Sequence, residues 1–339
     1  MNAPETALVA IDWGSSALRG ARLDRQGRVL EQRSFARGVL TVAPGEFAAV
    51  FDTCFGDWTG PNSAYCLISG MAGSKQGWRE APYCACPAGF DGLAAELTWI
   101  DMGEQRAPVA IVPGLSCQHA CALPGLPAIP DVMRGEEVQI FGAMQLTGLR
   151  DGLFVLPGTH SKWAQVVDGR VTGFRTYMSG EVFALLSQHS ILARTLEAGA
   201  PPDEAAFALG VQRAGQPGGL LHHAFGARTL SLFSRMGGAA LASYLSGLVI
   251  GEELSAQALS AGTEVVVIGA PGLTERYAQA LTLHGVRART LDDQATWAGL
   301  LALSTALPHK KTPGRAQGFS HPLGGPGEAR AGGTHRNTP

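Results

Sequence analysis

The pattern with which this sequence opens returns near its middle, and that repeat constrains the fold more than any other feature. Residues 7–32, ALVAIDWGSSALRGARLDRQGRVLEQ, read as an apolar strand from Ala7 ending on Asp12, then a turn through Gly14, Ser15 and Ser16. An alternating strand (Ala17 to Leu23), a turn containing Arg25-Gln26-Gly27 and a third strand (Arg28 to Ser34) follow. Alternation of this kind marks half-buried strands. After Arg150-Asp151-Gly152, LFVLPGTHSKWAQVVDGRVTGFRTYMSGE repeats the order: apolar strand, Gly-Thr-His-Ser turn, alternating strand, Asp168-Gly169 turn, third strand. One supersecondary unit at the start of each half predicts two related halves.

With 339 residues, 45% of them apolar, the chain can bury a large core in two domains. Acids and bases are mixed along it and the net charge is −2, which leaves no basic footprint for nucleic acid or an anionic membrane. Its apolar runs are far short of a bilayer span, and Met1 to Glu5 lacks the basic start of a signal peptide. The expectation is a soluble cytoplasmic protein, with a homodimer left open. The six cysteines, Cys54, Cys66, Cys84, Cys86, Cys117 and Cys121, lack the paired spacing of a zinc ribbon or finger and read as reduced thiols.

Buried strands are expected at Ala64–Gly73 and Pro108–Gly114. The proline-rich LPGLPAIPD leads into MRGEEVQIFGAMQLTGL, where Val138, Phe141 and Met144 or Gln145 suit a helix beginning near Gly135. Helical spacing recurs over 181–192, 203–212, 241–259, 273–284 and 293–307, interrupted by EVVVIGAPG, a buried strand that breaks at Gly269. From Pro308 onward the sequence is glycine, proline, histidine and basic residues, the composition of a disordered tail.

Asp, Gly and Ser all favour turns, so Asp12-Trp13-Gly14-Ser15-Ser16 could be only a turn. The repeat argues for more. Two glycine-hydroxyl turns that face each other offer backbone N–H groups and hydroxyls to one anion, and glycine lets phosphate oxygens approach where a Cβ would collide. A carboxylate beside them suits a hydrated Mg²⁺ bridging phosphates.

These stretches resemble the sugar-kinase branch of the actin, Hsp70 and hexokinase superfamily, and within it the 2-dehydro-3-deoxygalactonokinase family. The resemblance runs from about Ala7 to Leu307 and is carried by IDWGSS, SGMAGSKQGWREAPY, PGL, MRGEE, LPGTHSKW, FRTYMSGE and LSGLVIGEE, in that order. It implies an α/β protein of two RNase H-like (actin-like ATPase) domains flanking a hinged active-site cleft. Residues 1–149 would carry phosphate loop 1 and the sugar acid, 150–308 phosphate loop 2 and the adenosine, and 309–339 the disordered tail.

The same resemblance implies ATP and Mg²⁺ as cofactors and a small sugar acid as the other substrate. Asp12 would hold the metal through water; Gly14, Ser15 and Ser16 with Gly158, Thr159 and His160 would clamp the phosphates. Gly269 and Ala270 fall where the superfamily's adenosine segment lies, and Lys162 could neutralise the phosphoryl group or face water. The proton acceptor falls on Glu136 or Glu137 at a helix start, with Glu136 preferred. Met71, Ser74, Trp78, Arg134 and Arg175 are the expected sugar-acid contacts, with Lys75 and Arg79 as further basic candidates. The implied reaction is phosphorylation of 2-dehydro-3-deoxy-D-galactonate at its 6-hydroxyl. The rivals are the same chemistry on another sugar acid, such as 2-dehydro-3-deoxy-D-gluconate, and a nucleotide-binding regulator without transfer.

Overall fold

The computed structural model describes residues 6–60, 65–103, 105–120, 125–257 and 259–307. The opening meander is β1 (Leu8–Trp13), β2 (Leu18–Leu23) and β3 (Val29–Phe35), each within a residue of its expected bounds. After it come α1 (Phe47–Phe55), β4 (Tyr65–Gly70), β5 (Tyr83–Ala85), α2 (Phe90–Ala95), β6 (Thr98–Ile100) and β7 (Val109–Ile111). β8 (Gly114–His119) and β9 (Ile129–Met133) precede α3 (Glu136–Thr147). The second half begins with β10 (Gly152–Leu156), β11 (Ser161–Val167) and β12 (Arg170–Tyr177). It continues with α4 (Ser179–His189), α5 (Glu204–Ala214), α6 (Gly219–Leu232) and α7 (Gly238–Ser255). β13 (Glu264–Ile268), α8 (Pro271–Leu283), β14 (Arg287–Leu291) and α9 (Gln294–Thr305) complete it.

The repeat in the sequence is a repeat of topology. One sheet has the order β3-β2-β1-β4-β7-β6 and the other β12-β11-β10-β13-β14. In each, three antiparallel strands are joined by two that run parallel to the first, β4 and β7 in one, β13 and β14 in the other. That shared order is the RNase H-like arrangement, so the expected fold class holds. A three-stranded sheet, β5-β8-β9, is added to the first half and reaches the second: Asp131 accepts from the N–H and hydroxyl of Thr176, at 2.8 and 2.6 Å.

Strand alternation sorts each sheet into an inner and an outer face. On β1, Leu8 and Ala10 join a core shared with Val138 and Phe141 of α3, Leu300 of α9, and Phe154 and Ala164 of the second sheet. Val9, Ile11 and Trp13 point the other way, onto Phe47, Phe51 and Phe55 of α1. The second sheet does the same, with Val155 and Trp163 turned outward onto α5, α7 and α8. Asp12 shares its parity with Leu8 and Ala10, and Lys162 with Ala164. Both therefore point inward, where the halves meet.

Two helices fill the space between the sheets. α9 follows the second sheet in sequence yet packs on β1, β2 and β4 of the first, against α3. The two helices cross where Gly142 meets Gly299. A Cβ on Gly142 would lie 1.7 Å from the Ala295 carbonyl oxygen, and one on Gly299 2.0 Å from that of Val138. Among the described residues no helix is long and apolar enough to cross a membrane. Cys54, Cys66, Cys84, Cys86 and Cys117 are free thiols, while Cys121 and the tail from Pro308 lie outside the described residues.

Candidate active site

Loop 1 is the turn that joins β1 to β2, closed by the Gly14 N–H on the Ala17 carbonyl at 2.9 Å. A second turn packs under it, with Val39 N–H on Gly14 O and Leu40 N–H on Ser15 O at 2.9 and 3.2 Å. Gly38 sits so close that a Cβ would lie 2.2 Å from the Ser15 oxygen. Ser15 and Ser16 remain exposed at the tip. Asp12, with 16% of its side chain open, forms an ion pair with Arg19, its register partner on β2. Arg19 in turn lies 3.6 Å from Asp293 at the head of α9.

Loop 2 occupies the equivalent place between β10 and β11. The first turn of α4 lies across it: Glu181 N–H donates to Thr159 O at 3.0 Å, and its carboxylate pairs with His160 Nε2 at 2.6 Å. Gly180 permits this, since a Cβ there would be 2.4 Å from Gly158 O. Thr159 and His160 are exposed and Gly158 is half-buried. Because β13 runs parallel beside β10, its end delivers Gly269 next to loop 2, where a Cβ would stand 3.6 Å from Pro157 O. Ala270 follows, exposed, and α8 begins at Pro271. Lys162 does not face water: it is 5% exposed and its Nζ is 3.9 Å from Glu136 Oε1.

The start of α3 sits between the loops because two glycines adopt left-handed backbone. Gly135 (φ 110°) and Gly70 (φ 91°) meet back to back, with the ideal Cβ of Gly135 at 3.3 Å from Gly70 Cα. Side chains there would force α3 away from the end of β4. The helix then separates its two glutamates. Glu136 keeps 26% of its side chain open, faces Lys162, and accepts from Arg134 N–H at 3.0 Å. Burial raises its carboxyl above the ordinary range, the Lys162 ammonium draws it back down, and the Asp12 charge adds to the rise. Glu137 is fully buried and both its oxygens accept from Gly135 N–H, at 2.9 and 2.8 Å. Burial, with the Glu136 charge beside it, pushes its carboxyl up to about 8. Two adjacent carboxylates thus differ in environment, which separates their roles at neutral pH.

The other expected contacts divide. Met71 is half-buried after β4, and Ser74 is buried with its hydroxyl unpartnered among the described residues. Trp78 packs on Trp13 and Phe51 and, with Lys75, Val39, Leu40 and Phe47, lines a cavity of about 680 Å³ beside loop 1. Arg79 is exposed and donates to Trp99 O at 3.3 Å. Arg134 turns inward: it is 9% exposed, donates to Ala81 O at 2.8 Å and lies over the Tyr83 ring at 4.2 Å. It ties the end of β9 to the start of β5, and its Nε and Nη1 have no partner among the described residues. Arg175 is opposite Trp163 in register and shares its outer face, so alternation removes it from the inner side where Lys162 lies. Arg19 and Asp293 were not among the expected residues. Register across the β1–β2 turn was the available signal for Arg19, since a tight hairpin sets Asp12 opposite it.

Carboxylates and a lysine gathered between two glycine-hydroxyl turns, on an actin-like ATPase fold, are the equipment of a phosphoryl-transfer enzyme. The sequence profile described as 2-keto-3-deoxy-galactonokinase matches residues 12–303. A probable 2-dehydro-3-deoxygalactonokinase of Rhizobium meliloti (strain 1021) is 35% identical over 308 residues, 88% of this chain and 96% of that protein. The 2-dehydro-3-deoxygalactonokinase of Escherichia coli (strain K12) is 33% identical over 305 residues, 88% of this chain and 98% of that one. A crystal structure from Sinorhizobium meliloti, assigned as the same kind of kinase, matches with a TM-score of 0.79 at 34% identity, covering 88% of this chain and 98% of that one. The chain belongs to the 2-keto-3-deoxy-galactonokinase family.

Proposed function

We propose that this protein transfers the γ-phosphoryl group of ATP to the 6-hydroxyl of 2-dehydro-3-deoxy-D-galactonate. The observation that carries the reading is Glu136, which stands about a quarter open at the head of α3 beside Lys162 of one sheet and within the field of Asp12 of the other. The acceptor oxygen attacks the γ-phosphorus as the bond to the β–γ bridging oxygen breaks. Glu136 takes the hydroxyl proton and ADP leaves with the bridging oxygen. A carboxylate raised above the ordinary range is a better acceptor, provided it stays ionised, and the Lys162 ammonium favours that. Lys162 also offsets charge on the transferring group, while loops 1 and 2 bind the phosphates through backbone N–H groups and the hydroxyls of Ser15, Ser16 and Thr159.

Among the described residues no group of three or more His, Cys, Asp or Glu side chains forms a metal cage. The single inward carboxylate of Asp12 suits Mg²⁺, which keeps several waters and is held by one or two carboxylates together with substrate phosphates. When bound, the ion would neutralise charge on the phosphates. Arg19 holds Asp12 in its inward orientation. The groove lined by Lys75 and Trp78 is where the sugar acid would lie, one wall apolar and one cation at its rim. The first sheet, with α9 packed on it, and the second sheet would move as two bodies about the α3–α9 crossing, closing on both substrates.

The test is ADP release from the purified protein with MgATP and a panel of 2-keto-3-deoxy sugar acids. The expected result is turnover that requires the sugar acid and is fastest with the galactonate compound. A faster reaction with the gluconate epimer would reassign the substrate. ATP binding with no acceptor-dependent release would support a regulator.

A further inference from the structure

Beneath loop 2 lies a carboxylate with no part in the chemistry above. Glu253, on α7, is 2% exposed and forms no ion pair among the described residues. Instead it accepts four hydrogen bonds from neutral donors. Oε1 takes Ser161 Oγ at 2.8 Å and Trp163 Nε1 at 2.5 Å; Oε2 takes Tyr277 OH at 2.8 Å and the hydroxyl of Ser179. Burying an anion is costly, and a full set of donors is the usual compensation.

The donors identify what is being held. Ser161 directly follows His160, the last residue of loop 2. Ser179 is the first residue of α4, whose next two residues clamp Gly158, Thr159 and His160. Tyr277 is on α8, the helix that begins just after Gly269 and Ala270. One buried carboxylate therefore links the strand leaving loop 2, the helix lying over it, and the helix at the expected adenosine segment. The Asp12–Glu136 side of the site contributes nothing to this network.

We infer that Glu253 is a positioning residue for the nucleotide: it fixes loop 2 against α4 and α8, so its loss weakens ATP binding and leaves sugar-acid binding untouched. The inference rests on the kinase reading. Glu253→Gln is the informative change. Trp163 Nε1 can only donate, so the amide oxygen must stay on its side and the NH₂ must face Ser179 and Tyr277. Both hydroxyls must then accept instead of donate, so charge-assisted bonds become neutral ones and each hydroxyl proton needs a new acceptor, which weakens the grip on α4 and α8 while the volume is kept.

The experiment compares Glu253→Gln, Ser179→Ala and Tyr277→Phe with the unmutated full-length protein, by steady-state kinetics and by titration calorimetry with a non-hydrolysable ATP analogue. The expected result is a rise of about tenfold in KM for ATP and in the analogue Kd for Glu253→Gln, and about threefold for each single-donor variant, near the worth of one hydrogen bond. KM for the sugar acid should stay within about twofold. A lowered Tm with unchanged ATP affinity in the folded protein, or an equal rise in both KM values, would overturn the inference. If Glu253→Gln does not fold, the two milder variants decide by the same split. Failure of the unmutated protein to bind the analogue would instead strike the kinase reading beneath it.

Discussion

At the scale of single residues, the decisive difference is between Glu136 and Glu137. Glu136→Gln should lower kcat by about 10²- to 10⁴-fold with ATP affinity little changed, and Glu137→Gln should cost less than about tenfold; single-turnover phosphorylation with calorimetry separates them. Loss of activity in Glu137→Gln alone would exchange the roles. Glu137 also makes a stability prediction. Its carboxyl moves from an ordinary 4.5 to about 8 on folding, so the native state holds more protons than the unfolded one between those values. Stability from this group is complete below the unfolded value and declines as pH rises toward about 8. The Tm should therefore fall over that window, and Glu137→Gln should flatten the fall; an unchanged slope in thermal melts would show that the buried carboxyl is not the cause. The sequence made the pair legible as candidates, because acids at a helix start after glycine are a visible pattern. It could not say which one faces Lys162, since that depends on the left-handed turn at Gly135. The outer-face position of Arg175 was visible in the sequence: Phe174 beside it is core-facing, and alternation sends its neighbour to the other side.

At the scale of elements, glycines at superficially similar helix positions do different work. Gly142 and Gly299 let α3 and α9 cross with backbone almost touching, and a methyl on either would meet a carbonyl oxygen with nowhere to go. Gly142→Ala and Gly299→Ala should each destabilise by about 2–4 kcal/mol, as overpacking does. Gly148, which caps α3 in left-handed conformation with open space around it, should cost only about 1 kcal/mol as alanine. Urea unfolding of the three variants tests the order, and equal losses would mean that the helices can separate freely. Most strands and long helices were legible within a few residues because their patterns are strong. α6 was not: its sequence, GLLHHAFGARTLSL, has no clean stripe and leaves Leu221 92% exposed. The short strands β5, β8 and β9 were hidden for another reason, because their pairing is set by partners far away in sequence.

At the scale of the whole molecule, the site is shared. Asp12 comes from one sheet, Lys162 from the other, and Glu136 from the helix between them. A ligand that engages both sheets ties the halves together, so MgATP and sugar acid together should raise Tm by more than the sum of their separate effects. Differential scanning fluorimetry with each ligand and with both measures this, and strict additivity would mean that the two substrates do not share one closed state. The doubled architecture was legible from the repeated strand-turn unit. The return of α9 to the first sheet was not, because its apolar spacing says that it packs but not on what.

That return also bears on how the chain is made. Synthesis proceeds from the N-terminus, yet the inner face of the first sheet is covered by a helix that emerges only after the whole second sheet. Until residue 294 has left the ribosome, Leu8, Ala10 and Leu67 have no cover from α9. The first half must therefore wait, part-finished, until the second half has been made, and a nascent chain stalled before α9 is one that chaperones should hold.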